Sequence, residues 1–197
     1  MDSGRVKHEI IFVGRSNVGK STLFSALFGK KVRKGKKPGT TIKPNFLQYR
    51  DLLITDLPGY GYIRGVNRDF NERVKDFIVH YIENNANRII VSVHVIDAKA
   101  FPEVVERWES RGEIPVDIEM YEFLDEVSNV IVAANKIDKV ENVDETLDII
   151  AEKLGMLSRD MIFPVCAKKG EVKPLKEELK KRLVRAGRSD LLGVFRR

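Results

Sequence analysis

Residues 14–21 of the chain read Gly14-Arg15-Ser16-Asn17-Val18-Gly19-Lys20-Ser21, and the fold follows from how they are read. The spacing fits G-x-x-x-x-G-K-[ST], the phosphate-binding loop, provided that a strand precedes it and a helix follows. Both flanks comply: residues 10–13 (Ile-Ile-Phe-Val) read as a buried strand and residues 22–28 as a helix. The chemistry explains the pattern. A triphosphate is held by many amide N–H groups aimed at one point, and glycine lets the backbone bend close enough to aim them. The following helix adds the positive end of its dipole. Lys20 is then expected at the β- and γ-phosphates, and the Ser21 hydroxyl at a magnesium ion.

Outward from this loop, strands and helices alternate. Residues 8–13 are expected as the first strand and 20–29 as the first helix. The stretch up to Pro38-Gly39-Thr40-Thr41 lacks apolar periodicity and reads as a loop. Residues 45–50 and 52–55 form two strands joined tightly near Arg50-Asp51, hence antiparallel. An amphipathic helix is expected over 68–83, with Phe70, Val74, Phe77, Ile78 and Tyr81 on one side. Residues 89–96 are nearly all apolar, the pattern of a parallel strand covered on both faces. Two helical pieces separated at residues 112–115 follow, then a strand over 127–134, a helix over 144–154, a short strand over 161–165 and a last helix over 171–186. The alternation implies an α/β fold of three layers, with a mostly parallel six-stranded sheet containing one antiparallel strand. Residues 1–197 read as a single domain, with an acidic insert at about 101–126 and a basic C-terminal helix and tail at about 171–197.

Composition bounds the function. At 197 residues, 43% hydrophobic and 32% charged, the chain can bury a sizeable core. No apolar run approaches the roughly 20 residues that span a bilayer, and residues 1–5 carry no secretory signal pattern. A cytoplasmic monomer with no membrane partner is expected. The one cysteine, Cys166, permits no internal disulfide and excludes a cysteine-rich metal site. His8, His80 and His94 have no ligand spacing, and His94, inside an apolar strand, reads as a packed core residue. The net charge of +6 is unevenly spread. Lys30, Lys31, Arg33, Lys34, Lys36 and Lys37 place six cations in eight residues, and residues 168–197 hold eleven lysines and arginines against four acids. Two basic segments beside a nucleotide site point to a polyanionic partner such as RNA, although any one charge run alone reads as a solvated surface.

In a sheet of this kind the ligand sits beyond the carboxyl ends of the strands, and each special stretch falls on such an end. Asp56, closing the third strand in Asp56-Leu57-Pro58-Gly59, is placed to hold magnesium through water, and the Gly59 N–H can meet the γ-phosphate. Asn135-Lys136-Ile137-Asp138 is the base-reading element. A carboxylate accepts both the N1–H and the exocyclic amine of guanine, and adenine offers no such pair, so Asp138 selects GTP over ATP. Lys136 can lie along the base, and Asn135 can tie this loop to the phosphate loop. One strand later, a backbone N–H of Cys166-Ala167-Lys168 can meet guanine O6. The nucleotide-binding set read from the residues is therefore 14–21, the Asp56–Gly59 turn, Asn135, Lys136, Asp138, Cys166, Ala167 and Lys168.

The ordered set GRSNVGKS, PGTT, DLPG, NKID and CAK resembles the five motifs of the translation-factor class of P-loop GTPases, Ras-like in fold. More narrowly, DLPGYGY at residues 56–62 resembles the signature of the EngB (YihA) family. Residues 39–46 (GTTIKPNF) and 117–124 (DIEMYEFL) are similar to two further family patterns, so the likeness spans roughly residues 8–185. It implies a GTPase in assembly of the large ribosomal subunit, with Gly39, Thr40 and Thr41 added to the nucleotide-binding set, Ser21, Thr41 and Asp56 around magnesium, and Lys20, Thr41 and Gly59 acting in hydrolysis. Three features depart from the family: a long acidic segment at 101–116, Cys166 where serine is commoner, and a tail, residues 191–197, outside any motif.

Ras-type enzymes carry a water-orienting glutamine directly after D-x-x-G. Here that residue is Tyr60, so hydrolysis is expected to be slow without a partner or another aid. Related GTPases with asparagine at the position of Asn17 bind a potassium ion; the competing reading of Asn17 is a hydrogen bond that shapes the loop. Two rival functions remain: a GTP-gated RNA- or protein-binding module with negligible hydrolysis, and a P-loop kinase. Asp138 argues against the kinase.

Overall fold

Residues 10–13 offer no polar face to water, so the strand that they form belongs inside a sheet covered on both sides. A computed structural model, which describes residues 6–29, 43–61 and 68–196, places all four of them fully buried. The elements run β1 (His8–Val13), α1 (Lys20–Phe28), β2 (Asn45–Tyr49), β3 (Leu52–Asp56), α2 (Arg68–Asn85), β4 (Ile89–Asp97), α3 (Phe101–Glu109) and α4 (Val116–Val127). Then come β5 (Val130–Asn135), α5 (Val143–Lys153), β6 (Ile162–Val165), α6 (Lys173–Arg185) and a final 3-10 segment, Ser189–Arg196. Sheet order is β2-β3-β1-β4-β5-β6; β2 is antiparallel to β3 and every other pairing is parallel. That is the expected three-layer sheet.

The strand period of two divides the core into halves. Ile10, Phe12, Val91, Val93 and Val95 meet Leu23, Phe24, Leu27 and Phe28 of α1 and Leu175, Leu179 and Leu183 of α6. On the other face Ile11, Val13, Val132 and Ala134 meet Val74, Ile78 and Ile82 of α2, Met120 and Leu124 of α4, and Leu147 and Ile150 of α5. Register brings the chemistry to one edge. Phe12 stands beside Asp56, Asp97 beside Asn135, and Asn135 beside Val165, so the loops after β1, β3, β5 and β6 open side by side.

One expectation needs correction, and the tail adds a packing role to its charge. The strand expected from residue 127 begins at Val130, because α4 runs through Val127. Ser128 closes that helix: its N–H and Oγ both donate to the Leu124 carbonyl at 2.9 Å, and its Oγ also meets Ser92 Oγ at 2.6 Å. The C-terminal tail, read from charge alone as basic, buries Leu191, Val194 and Phe195, and Phe195 stacks on Phe28 with centroids 5.4 Å apart. Arg188 anchors it with two bonds to the Asp51 carboxylate, at 2.6 and 2.9 Å, in the turn between β2 and β3. A planar guanidinium matched to both carboxylate oxygens is the strong form of such a pair. The tail thus grips the end of α1 and the β2–β3 hairpin together, on either side of residues 30–42. Among the described residues no helix is long and apolar enough to cross a membrane.

Candidate functional site

The phosphate loop leaves β1 and turns into α1 at Gly19, whose φ of 94° is left-handed. A side chain there is excluded twice, since a Cβ would also lie 2.3 Å from Asn135 Nδ2. No side chain caps the start of α1 and no acid lies in its first turn. Its first amide N–H groups therefore stay available to an anion. Asn17, with φ 70°, completes the bend.

Lys20 is almost wholly buried, and its Nζ lies 3.4 Å from Asp56 Oδ1. Ser21 Oγ donates to Asp56 Oδ2 at 2.7 Å, and Asn45 Nδ2 approaches the same oxygen at 3.4 Å. Asp56 is buried at the tip of β3, and its Oδ1 has no hydrogen-bond donor among the described residues. A buried carboxylate oxygen without a donor, beside a hydroxyl, is a set of hard oxygen ligands, which fits magnesium. Thr41, Gly39 and Thr40 lie outside the described residues.

Asn135 joins three loops. Its Nδ2 donates to the Val18 carbonyl at 2.8 Å, and its Oδ1 accepts the Ala167 N–H at 3.0 Å. The expected tie to the phosphate loop is present, with a second tie to the Cys166–Lys168 loop. Lys136, itself left-handed at φ 63°, donates through Nζ to the Asn17 carbonyl at 2.8 Å and to Asp97 Oδ2 at 2.5 Å. Asp97 escaped the sequence reading. Its position directly after the strand expected over residues 89–96 was the available signal.

Asp138 lines the same cleft, with the Lys169 ammonium 3.6 Å away. The Cys166 thiol beside it, and then Lys169, hold its carboxyl below the ordinary carboxylate range, while burial and Asp138 raise the thiol. The side chain of Cys166 therefore favours the ionised form of the Asp138 carboxylate. The N–H of Cys166 bonds the Glu171 carbonyl, so the amides of both Cys166 and Ala167 have intramolecular acceptors. Arg15, Asn17, Gly19, Lys20, Ser21, Asn135, Lys136, Asp138, Cys166, Ala167 and Lys168 all line one cleft of about 680 Å³, of the size that takes a small-molecule ligand.

A second cluster lies behind the loop. Tyr60 is buried, and its hydroxyl lies 2.8 Å from Asp117 Oδ1 and 2.7 Å from His94 Nε2. Arg15 reaches Asp117 Oδ2 at 3.4 Å. His94 is indeed buried, and burial pushes its pKa down to about 3. Burial also pushes the Asp117 carboxyl and the Tyr60 hydroxyl up.

A phosphate loop, an aspartate facing it from β3 and a carboxylate, Asp138, in the cleft from the loop after β5 are the features of a nucleotide-binding P-loop protein. A family model described as 50S ribosome-binding GTPase matches residues 9–136. The chain is 59% identical over 194 residues to a probable GTP-binding protein EngB of Archaeoglobus fulgidus, covering 95% of this chain and 98% of that one. A crystal structure of a probable GTP-binding protein engB superposes with a TM-score of 0.80 at 48% identity, over 90% of this chain and 97% of that one. Era, crystallised with MgGDPNP and nucleotides 1506–1542 of 16S ribosomal RNA, gives a TM-score of 0.60 at 28% identity, over 90% of this chain and 56% of Era. The chain belongs to the EngB family of GTP-binding GTPases.

Proposed function

We propose that this GTPase is a magnesium-dependent switch acting in assembly of the large ribosomal subunit. The observation that carries the nucleotide site is the Asn135 bridge, which sets phosphate loop and base-reading loop around one cleft. The large-subunit role draws support from the description of the matching family model, 50S ribosome-binding GTPase, and the 16S RNA held by Era supports ribosomal RNA only as a class of partner. Residues 14–21 hold the phosphates, Asp138 accepts from guanine N1–H and its amine, and an amide of residues 166–168 meets O6. Ser21, Thr41 and, through water, Asp56 would hold magnesium, which when bound neutralises charge on the β- and γ-phosphates. Lys20 shares that neutralisation, leaving Asp56 for the ion. The Gly59 N–H meets the γ-phosphate that only GTP carries. Water attacks the γ-phosphorus in line and GDP departs; Lys20, Gly59 and Thr41 position the group that is transferred.

The hydroxyl of Tyr60 is committed to Asp117 and His94, so it does not orient that water, and unaided hydrolysis is slow. Two aids are open, a ribosomal partner and a potassium ion held by Asn17. If Asn17 holds the ion, hydrolysis in potassium exceeds hydrolysis in sodium severalfold, and Asn17→Ala removes the difference. Equal rates in both salts leave Asn17 as the left-handed turn whose carbonyl accepts from Lys136. Turnover that ribosomal particles fail to raise would instead favour a GTP-gated binding module.

The partner test uses residues 30–37, which lie outside the described residues. Ordering a cationic loop costs entropy, so a loop already ordered by GTP binds a polyanion with less cost. Association with ribosomal RNA or the large subunit is expected to be tighter with a GTP analogue than with GDP, and to fall steeply with salt. Replacing Lys30, Lys31, Arg33, Lys34, Lys36 and Lys37 by Gln should flatten the salt slope and leave GTP affinity nearly intact. A slope that these changes do not alter excludes this loop as the contact.

A further inference from the structure

Tyr60 directly follows the Gly59 turn, yet its ring points into the core rather than into the nucleotide cleft. Its hydroxyl bridges two rigid elements, His94 of β4 and Asp117 of α4. The proton order can be worked out. With His94 neutral and Asp117 beside the Arg15 guanidinium, Tyr60 O–H donates to Asp117 and His94 Nε2–H donates to Tyr60 Oη. His94 Nδ1 is then the bare ring nitrogen, and it is the one without a partner among the described residues.

The backbone beside this tyrosine is laced to the phosphate loop. Ser16 N–H donates to the Tyr60 carbonyl at 3.0 Å, Tyr60 N–H to the Gly14 carbonyl at 3.4 Å, and Ser16 Oγ to the Gly59 carbonyl at 3.2 Å. Gly59 sits so close that a Cβ on it would lie 2.8 Å from the Ser16 backbone. Through Asp117 the side chain also returns to the phosphate loop, at Arg15. Gly59 is therefore held from two sides: by the loop that binds phosphate, and by a buried tyrosine whose far end is tied to α4 and β4.

We propose that Tyr60 and Asp117 are positioning residues that fix the Gly59 N–H relative to the phosphate loop and so set the preference for GTP over GDP. This rests on the reading of Gly59 as the γ-phosphate contact. A hydrogen bond to a fixed phosphate is sensitive to small displacements of its donor. GDP has no γ-phosphate, so a displaced Gly59 weakens binding of GTP alone. A role in folding only would weaken both nucleotides alike or neither.

Tyr60→Phe keeps the ring and removes the hydroxyl, and Asp117→Asn keeps the volume and removes the charge that Arg15 faces. Affinities for a fluorescent, non-hydrolysable GTP analogue and for fluorescent GDP give the readout, with thermal melting to confirm folding. In Tyr60→Phe the analogue is expected to bind at least fivefold more weakly while GDP changes less than twofold. Asp117→Asn should shift the ratio in the same direction, and the double variant should lose no more than the larger single loss. If Tyr60→Phe does not fold, the ratio in Asp117→Asn decides alone. Equal losses for both nucleotides, or an unchanged ratio, overturn the proposal. Gly59→Ala separates the causes of such a failure. A ratio that changes in Gly59→Ala alone rejects Tyr60 and Asp117 as its positioners, whereas a ratio unchanged there as well rejects the γ-phosphate reading of Gly59 and the proposal with it.

Discussion

Asp138→Asn is expected to turn a guanine site into a xanthine site. In the proposed site one carboxylate accepts from two guanine donors, and such bonds are charge-assisted. The replacement amide keeps a single oxygen and presents an N–H₂ toward the guanine amine, a donor against a donor. GTP affinity should fall on the order of a hundredfold or more, the scale of two charged hydrogen bonds lost with one group left unsatisfied. Xanthosine triphosphate carries a carbonyl where guanine has the amine, and that carbonyl accepts the new amide proton. Competition between the two triphosphates for Asp138→Asn reads the result directly. A variant that still prefers GTP would remove Asp138 from the base. The surroundings help the exchange to be clean, because Asp138 is joined only loosely to Lys169.

Where chemistry is local in sequence, it was legible. Residues 14–21, 56–59 and 135–138 each occupy a strand end that apolar periodicity had already located; the structure brings members of the first and last to one cleft, and Asp56 joins it by bonding Ser21 rather than by lining it. Periodicity failed at residue 127, because Val127 serves the end of a helix as well as it would the start of a strand, and Ser128 decides by bonding back to Leu124. The tail is basic in composition, and counting charge did not show that it is also an anchor. Leu191 and Val194 are spaced three apart, the period of a 3-10 helix, and both are fully buried.

The relay of Arg15, Asp117, Tyr60 and His94 was not legible, for a different reason. Its members lie up to 102 residues apart, and although Tyr60 and Asp117 each stand in a family-like stretch, nothing in those stretches joins them to each other, to Arg15 or to His94. Only the sheet order, which sets β4 next to β1 and packs α4 on the same face, makes one network of them. The same holds for Glu9, a fully buried acid at the opposite end of the sheet. Arg88 at 2.7 Å, Tyr81 at 2.5 Å and the Thr55 hydroxyl satisfy it, and none of the three is near it in sequence. Burial of a charge is tolerated only with such partners, so long-range pairing is what a single chain conceals best.

Acid should expose the relay through His94. Its imidazole is buried in the neutral form with a pKa near 3, against 6.5 for the ordinary side chain, and burial is the cause. The sign follows from linkage. A base whose pKa is lower in the folded state adds stability that is complete above pH 6.5 and is lost as pH falls, because the unfolded chain takes up a proton that the folded one refuses. The groups facing His94 are Tyr60, Asp117 and the stacked ring of Tyr121, with Arg15 behind Asp117. Asp117 limits the effect, since burial raises its own pKa in the folded state. Once pH falls far enough to protonate Asp117, the folded cluster also gains a proton and the slope flattens. Above that point the slope approaches 1.4 kcal/mol per pH unit, so about 2 kcal/mol should disappear between pH 6.5 and 5. His94→Gln retains an N–H for the Tyr60 hydroxyl but cannot titrate. Urea unfolding at pH 7 and at pH 5 should therefore show the parent losing about 2 kcal/mol more than the variant, with His8 and His80 common to both. Parallel losses in the two proteins would place the acid sensitivity elsewhere.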